Sequence, residues 1–87
     1  MIFDDASKLR THIDEKARAS LIVFAHGTFD LLHYGHVRHL AEAKLKMTGA
    51  LLVVGVSTDA TVPKGPGRPV FNERQRCEQV EALRAVD

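Results

Sequence analysis

Residues 27–36, GTFDLLHYGH (Gly27 to His36), decide how the chain is read. Before them stands an apolar run, Leu21 to Ala25, with the character of a strand, and after them an amphipathic run from about His36 to Met47 has the character of a helix. A strand that breaks at a glycine, crosses a short loop and re-enters as a helix gathers free backbone N–H groups and a positive dipole end in one place. Such a place suits an anion, most often a phosphate. His33 and His36 bring two imidazoles to it, Gly35 between them lets the backbone approach a ligand closely, and Asp30 upstream can orient its neighbours.

Working outward, the segment toward the N-terminus, Asp4 to Ala19, sets Ala6, Leu9, Ile13 and Ala17 at helical spacing, with Asp4 or Asp5 able to cap its start. This predicts a surface helix within residues 1–20 whose charged positions alternate in sign and read as a solvated face. Leu21 to Ala25 is continuously apolar, which predicts a strand covered on both faces in a parallel sheet. In the helix that follows, Val37, Leu40, Ala41 and Lys44 share a face, with the aliphatic stem of Lys44 lying over apolar surface, and Gly49 serves as a left-handed stop. Leu51 to Val56, LLVVGV, is a second strand of the same kind. Strand, helix and parallel strand form one crossover unit, the nucleus of a doubly wound α/β fold.

From Ser57 to Asn72 the chain reads STDATVPKGPGRPVFN, holding all three of its prolines and two glycines, which excludes a helix. A loop leaving the C-terminal end of a parallel strand is where such sheets bind ligands. A last helix starts near Asn72, a good N-cap, and buries Cys77, Val80 and Leu83. The expected organisation is one domain over residues 1–87, an N-terminal helix (1–20) followed by a strand-helix-strand-loop-helix core (21–87). Because two parallel strands do not make a stable open sheet, further strands or a second copy are expected to complete it.

Composition narrows the function classes. A net charge of +1 gives no electrostatic reason to expect nucleic acid or an anionic membrane as a partner. The lone Cys77 permits neither an internal disulfide nor a cysteine metal cluster, no secretory signal or membrane span is visible, and a cytoplasmic location is expected. Neither a Walker loop nor a G-x-G-x-x-G fingerprint follows the first strand. Zinc at His33, His36 and His39 is disfavoured by the spacing and by the want of a nearby cysteine or suitable carboxylate.

What remains is chemistry on a phosphate. Imidazole N–H groups, loop amides and a lysine can stabilise a phosphate that gains charge while it is attacked, and Thr28 adds an amide and a hydroxyl. Lys64 and Arg68, on the second loop, could close over the same group.

GTFDLLHYGH resembles the signature of the cytidylyltransferase-like nucleotidyltransferases, Rossmann-like α/β proteins that join a nucleoside monophosphate to a phosphorylated acceptor and release pyrophosphate. LLVVGVSTDA, KGPGRPV and NERQRCEQVEALRAVD are similar to that family's second strand, phosphate loop and following helix. The resemblance implies that His33 and His36 bind the nucleotide phosphates and stabilise the transition state. Lys64 would reach the phosphates from the second loop, and Gly27, Thr28, Phe29, Asp30, Gly35 and Arg68 would belong to the binding loops. Asp59 falls on a family aspartate, and Mg2+ is expected on the phosphates of ATP or CTP rather than on protein ligands.

Two subfamilies compete. GTFDLLH is similar to the glycerol-3-phosphate cytidylyltransferases, whereas the N-terminal helix and KGPGRPV are similar to the heptose-phosphate adenylyltransferase domain of lipopolysaccharide-core synthesis. That second type carries Asn-Gly-Cys where this chain has His26-Gly27-Thr28, and Ala50 stands where the family places aspartate. The family's later strands and its serine/threonine-rich motif have no counterpart in residues 1–87. The expected function is therefore transfer of AMP or CMP to a sugar or polyol phosphate by a homodimer or by the N-terminal part of a larger enzyme. The alternative is a non-catalytic nucleotide-binding fragment or a dimerising module.

Overall fold

The structure, a computed structural model, describes residues 1–17, 21–46, 48–62, 65 and 67–87. Its elements are helix α1 (Ala6–Ala17), strand β1 (Ile22–Gly27), helix α2 (Tyr34–Leu45), strand β2 (Leu51–Val56), a 3-10 turn at Asp59–Thr61 and helix α3 (Glu73–Glu81). Side chains at the helix starts explain their boundaries. The Asp5 carboxylate accepts the Ser7 N–H at 2.7 Å at the head of α1. Before α3, Asn72 Oδ1 accepts from Gln75 N at 2.8 Å while Gln75 Oε1 accepts from Asn72 N at 3.1 Å, a reciprocal capping box. The second helix begins two residues earlier than its apolar spacing suggests, at Tyr34, because His33 is its N-cap. Met47 and Ala19, the helix ends expected from sequence, lie outside the described residues.

β1 and β2 pair in parallel, with Ile22 opposite Leu51 and Gly27 opposite Val56. Alternation along the strands sends Val23, Ala25, Leu52, Val54 and Val56 to one face. There they pack with Leu40 of α2, Val80 of α3 and Phe29 of the first loop. Leu40 and Leu52 are fully buried at its centre. The other face corrects an expectation. The apolar run of β1 is not covered on both sides, since Ile22 and Phe24 are exposed, Phe24 by 63%. On that face Phe3 and, from α1, Leu9, His12 and Ile13 border a pocket with Leu51 and Val53 of β2. Phe24 instead stacks on His26, ring centres 6.5 Å apart.

Lys44 and Asp87 close the bottom of the layer. The Lys44 ammonium donates to the Ala50 carbonyl at 2.8 Å and pairs with the Asp87 carboxylate, which also accepts the Leu52 N–H. The stem of Lys44 borders an apolar groove with Val37, Leu40 and Leu83, as the spacing suggests, but Val37 itself is 43% exposed. Gly49 has the left-handed φ of +78°; it turns the chain into β2 after the helix has already ended at Leu45. Among the described residues no helix is long and apolar enough to cross a membrane.

Candidate active site

β1 ends at Gly27, whose carbonyl accepts the Ser57 N–H at 3.0 Å and so ties the exits of the two strands together. Two residues on, Phe29 has φ +53°, a left-handed conformation that costs a bulky residue energy and persists only where its surroundings enforce it. Its ring is 5% exposed and meets the His36 ring edge-on, 5.4 Å between centres. A Cβ at position 27 would stand 2.9 Å from that ring. Glycine is needed there because the Phe29 ring lies where a side chain would begin.

The two histidines cap the helix they introduce. His33 Nδ1 accepts the Gly35 N–H at 3.0 Å, and His36 Nδ1 accepts the His33 N–H at 3.3 Å. A ring nitrogen that accepts a backbone N–H carries no proton, so each neutral ring holds its hydrogen on Nε2. The rings lie 4.0 Å apart between centres. Partial burial, then the neighbouring His33 and His39, push the His36 pKa below its ordinary value. The helix N-terminus works in the same direction, since its positive end disfavours an imidazolium. A Cβ at position 35 would fall 2.8 Å from His33 Cε1, so any side chain there displaces the His33 ring from its cap. The result is a pair of neutral N–H donors beside a helix N-terminus, an arrangement that favours a multiply charged anion.

Asp30 belongs to this loop by sequence but directs its carboxylate at the other one. It accepts from Phe71 N at 3.0 Å, Val70 N at 2.9 Å and Arg68 Nη1 at 3.0 Å. The two backbone donors, with Arg68 behind them, hold its pKa below the usual carboxylate value. Asp30 thus positions the second loop and, through it, Arg68, whose side chain is half-exposed. Gly67, with φ +75°, makes the turn in which Arg68 N donates to the Gly65 carbonyl at 3.0 Å. Lys64, the remaining cation expected on this loop, lies outside the described residues.

One member of the arrangement has no place in the sequence reading. Among the described residues, Arg76 on α3 is the fully buried charge. Its guanidinium donates to the carbonyls of Phe71 at 3.0 Å, Thr28 at 2.9 Å and Ser57 at 2.7 Å, and to Asp59 Oδ1 at 2.8 Å. The hydrogen bond from Arg76 lowers the Asp59 pKa. The signal was available: Arg76 stands four residues before Val80 and seven before Leu83, on the stripe assigned to the core. A charge on an apolar stripe needs a buried partner, and here three carbonyls and a carboxylate supply it.

Gly27, Thr28, Phe29, Asp30, His33, Gly35 and His36 therefore come together at the C-terminal end of the sheet, joined by Arg68 through Asp30 and by Asp59 through Arg76. An open cleft of about 490 Å³ adjoins the second loop, lined by Asp59, Pro69, Val70, Asn72 and Gln75 among others. No three His, Cys, Asp or Glu side chains among the described residues converge to hold a metal ion.

Residues 24–87 match the family model described as cytidylyltransferase-like. The chain is 47% identical over 75 residues to a bifunctional protein HldE of Pelobacter propionicus, and 50% identical over 68 residues to that of Methylobacillus flagellatus. These alignments cover 84% and 76% of this chain but only 15% and 14% of the relatives, so the chain spans about one seventh of their length. Among solved structures, a lipopolysaccharide core biosynthesis protein from Thermoplasma volcanium superposes with a TM-score of 0.67 at 37% identity. That match covers 77% of this chain and 53% of the other.

Proposed function

The chain belongs to the cytidylyltransferase-like family, and from that premise we propose that its paired histidines serve nucleotidyl transfer from ATP or CTP to a sugar or polyol phosphate. An oxygen of the acceptor phosphate attacks the α-phosphorus in line. The new P–O bond forms as the bond to the bridging oxygen breaks, and pyrophosphate leaves with the electron pair. His33 and His36 donate from Nε2 to phosphate oxygens as charge accumulates on them. Neutral donors held by backbone amides need no reorganisation at that moment, which is the condition for effective electrostatic stabilisation. Mg2+ would enter bound to the triphosphate, where it offsets phosphate charge.

The observation that carries this reading is the pair of Nδ1 acceptor bonds, which fixes both tautomers and leaves both Nε2–H groups as donors. The resemblance of KGPGRPV to the heptose-phosphate adenylyltransferases, with likeness to the HldE proteins and to a lipopolysaccharide core biosynthesis protein, favours a sugar phosphate as acceptor and AMP as the transferred group. Pyrophosphate release, measured with ATP and CTP against heptose 1-phosphate and glycerol 3-phosphate, tests it. His36→Ala is expected to lower turnover by roughly a hundred- to a thousandfold. Unchanged turnover in that variant would remove the proposed role, and triphosphate binding with no turnover in any mixture would make the chain a binding module.

A further inference from the structure

The guanidinium of Arg76 touches neither histidine, yet it reaches the exits of both strands and the approach to α3. We infer that Arg76 is a positioning residue for the site, acting through the peptide groups that it clamps; this rests on the nucleotidyl-transfer reading above.

A trans peptide carries its C=O and the following N–H on opposite sides of one rigid plane. By holding the Thr28 carbonyl at 2.9 Å, Arg76 sets the plane that carries the Phe29 N–H and turns that N–H away from the guanidinium. Its bond to Ser57 O at 2.7 Å does the same for the Thr58 N–H. The two loops that face the ligand are thus fixed by one planar group. Phe29 follows its peptide plane into the left-handed region at φ +53°, and the ring it buries is the surface on which His36 rests. The chain of influence is short: guanidinium, Thr28 peptide, Phe29 ring, His36.

Lysine would not replace this arrangement. Four acceptors around one head group require the flat fork of an arginine, whereas an ammonium presents three donors in a cone. The third carbonyl, Phe71 O, extends the clamp to the residue whose N–H Asp30 holds, so both loops answer to the same group.

The test compares the wild-type chain with Arg76→Lys. Two signals are read: the contact of the Phe29 and His36 rings, from NOE cross-peaks and the ring-current displacement of the His36 ring protons, and steady-state pyrophosphate release. The lysine chain is expected to keep its helical circular dichroism, lose the ring contact, and show kcat lower by about a hundredfold with a far smaller change in KM, the size expected for a misplacement near 1 Å. Where the lysine chain does not fold, Asp59→Ala, which removes one of the four acceptors, is read the same way with a loss of about tenfold in kcat. An unchanged ring contact overturns the inference, as does a displaced contact that leaves kcat unaltered. Absence of turnover in the wild type counts against the nucleotidyl-transfer reading, and the ring contact then decides the role of Arg76 by itself.

Discussion

The loop after β1 and the loop after β2 meet at the same end of the sheet but are held by different means. The first combines local bonds with a remote clamp: His33 and His36 bind amides two and three residues away and Phe29 fills the space left by Gly27, while Arg76 holds the Thr28 carbonyl from α3. The second depends on side chains from distant parts of the chain. Asp30 binds Val70 and Phe71, forty and forty-one residues later, and Arg76 takes the Ser57 carbonyl. Local contacts shape the histidine end of the first loop, and the Arg76 clamp sets its Thr28–Phe29 end. A loop built from remote contacts forms only when the rest of the core has assembled, which suits a segment that must accommodate a ligand.

Substituting within the first loop should have the larger effect. Gly27→Ala would drive a methyl group to 2.9 Å from the Phe29 ring, so the ring must leave the position that supports His36. Turnover is expected to fall by about a hundredfold from that displacement, while far-ultraviolet circular dichroism stays native. A Gly27→Ala enzyme of wild-type kcat would show that the ring contact is dispensable.

Acid should separate the two loops. His36 has a folded pKa below its ordinary 6.5, so the fold favours the neutral ring. Its contribution is complete above 6.5 and is withdrawn as pH falls through the lower folded value. An imidazolium also cannot accept the amide bond that caps α2. Asp30 and Asp59, both depressed below 3.8, contribute fully above 3.8 and lose that contribution only as pH falls through their lower folded values. Amide exchange followed by NMR from pH 7 downward is therefore expected to show the His33 amide, which His36 accepts, losing protection first, with Val70 and Phe71 protected to more acid pH. Simultaneous loss would merge the two loops into one cooperative unit.

Within the second loop the carboxylate should matter more than its exposed partner. Asp30→Asn weakens three bonds at once and is expected to speed exchange at Val70 and Phe71 by about tenfold. Arg68→Gln removes a half-exposed ion pair while both backbone donors remain, and such pairs contribute roughly 0–1 kcal/mol, so a change of at most a few fold is expected. The reverse order would place the anchor of the loop on the arginine.

These differences also explain what the sequence discloses. The alternation of apolar run, glycine, paired histidines and amphipathic run is local, and β1, α2 and β2 appear close to where it puts them. Asn72 caps α3 as its residue type suggests. The burial of β1 differs because an apolar run reports that a strand can be covered, not which neighbours cover it; Phe24 is open on a face that α1 only partly reaches. Asp30 looks like a ligand-binding carboxylate beside a phosphate loop, and its three partners are invisible until residues 68–71 fold back over it. Arg76 is the strongest case. Its meaning depends on carbonyls at positions 28, 57 and 71, and no periodicity connects them.

The central claim is that His33 and His36 are neutral donors whose hydrogens sit on Nε2. Long-range ¹H–¹⁵N correlation spectra of the imidazole nitrogens at pH 7, recorded with and without MgATP or MgCTP, read this directly. Protonated Nε2 and bare Nδ1 are expected on both rings, with the Nε2 resonances moving when the triphosphate binds. Protons on Nδ1, doubly protonated rings, or Nε2 resonances that ignore a bound triphosphate would contradict it.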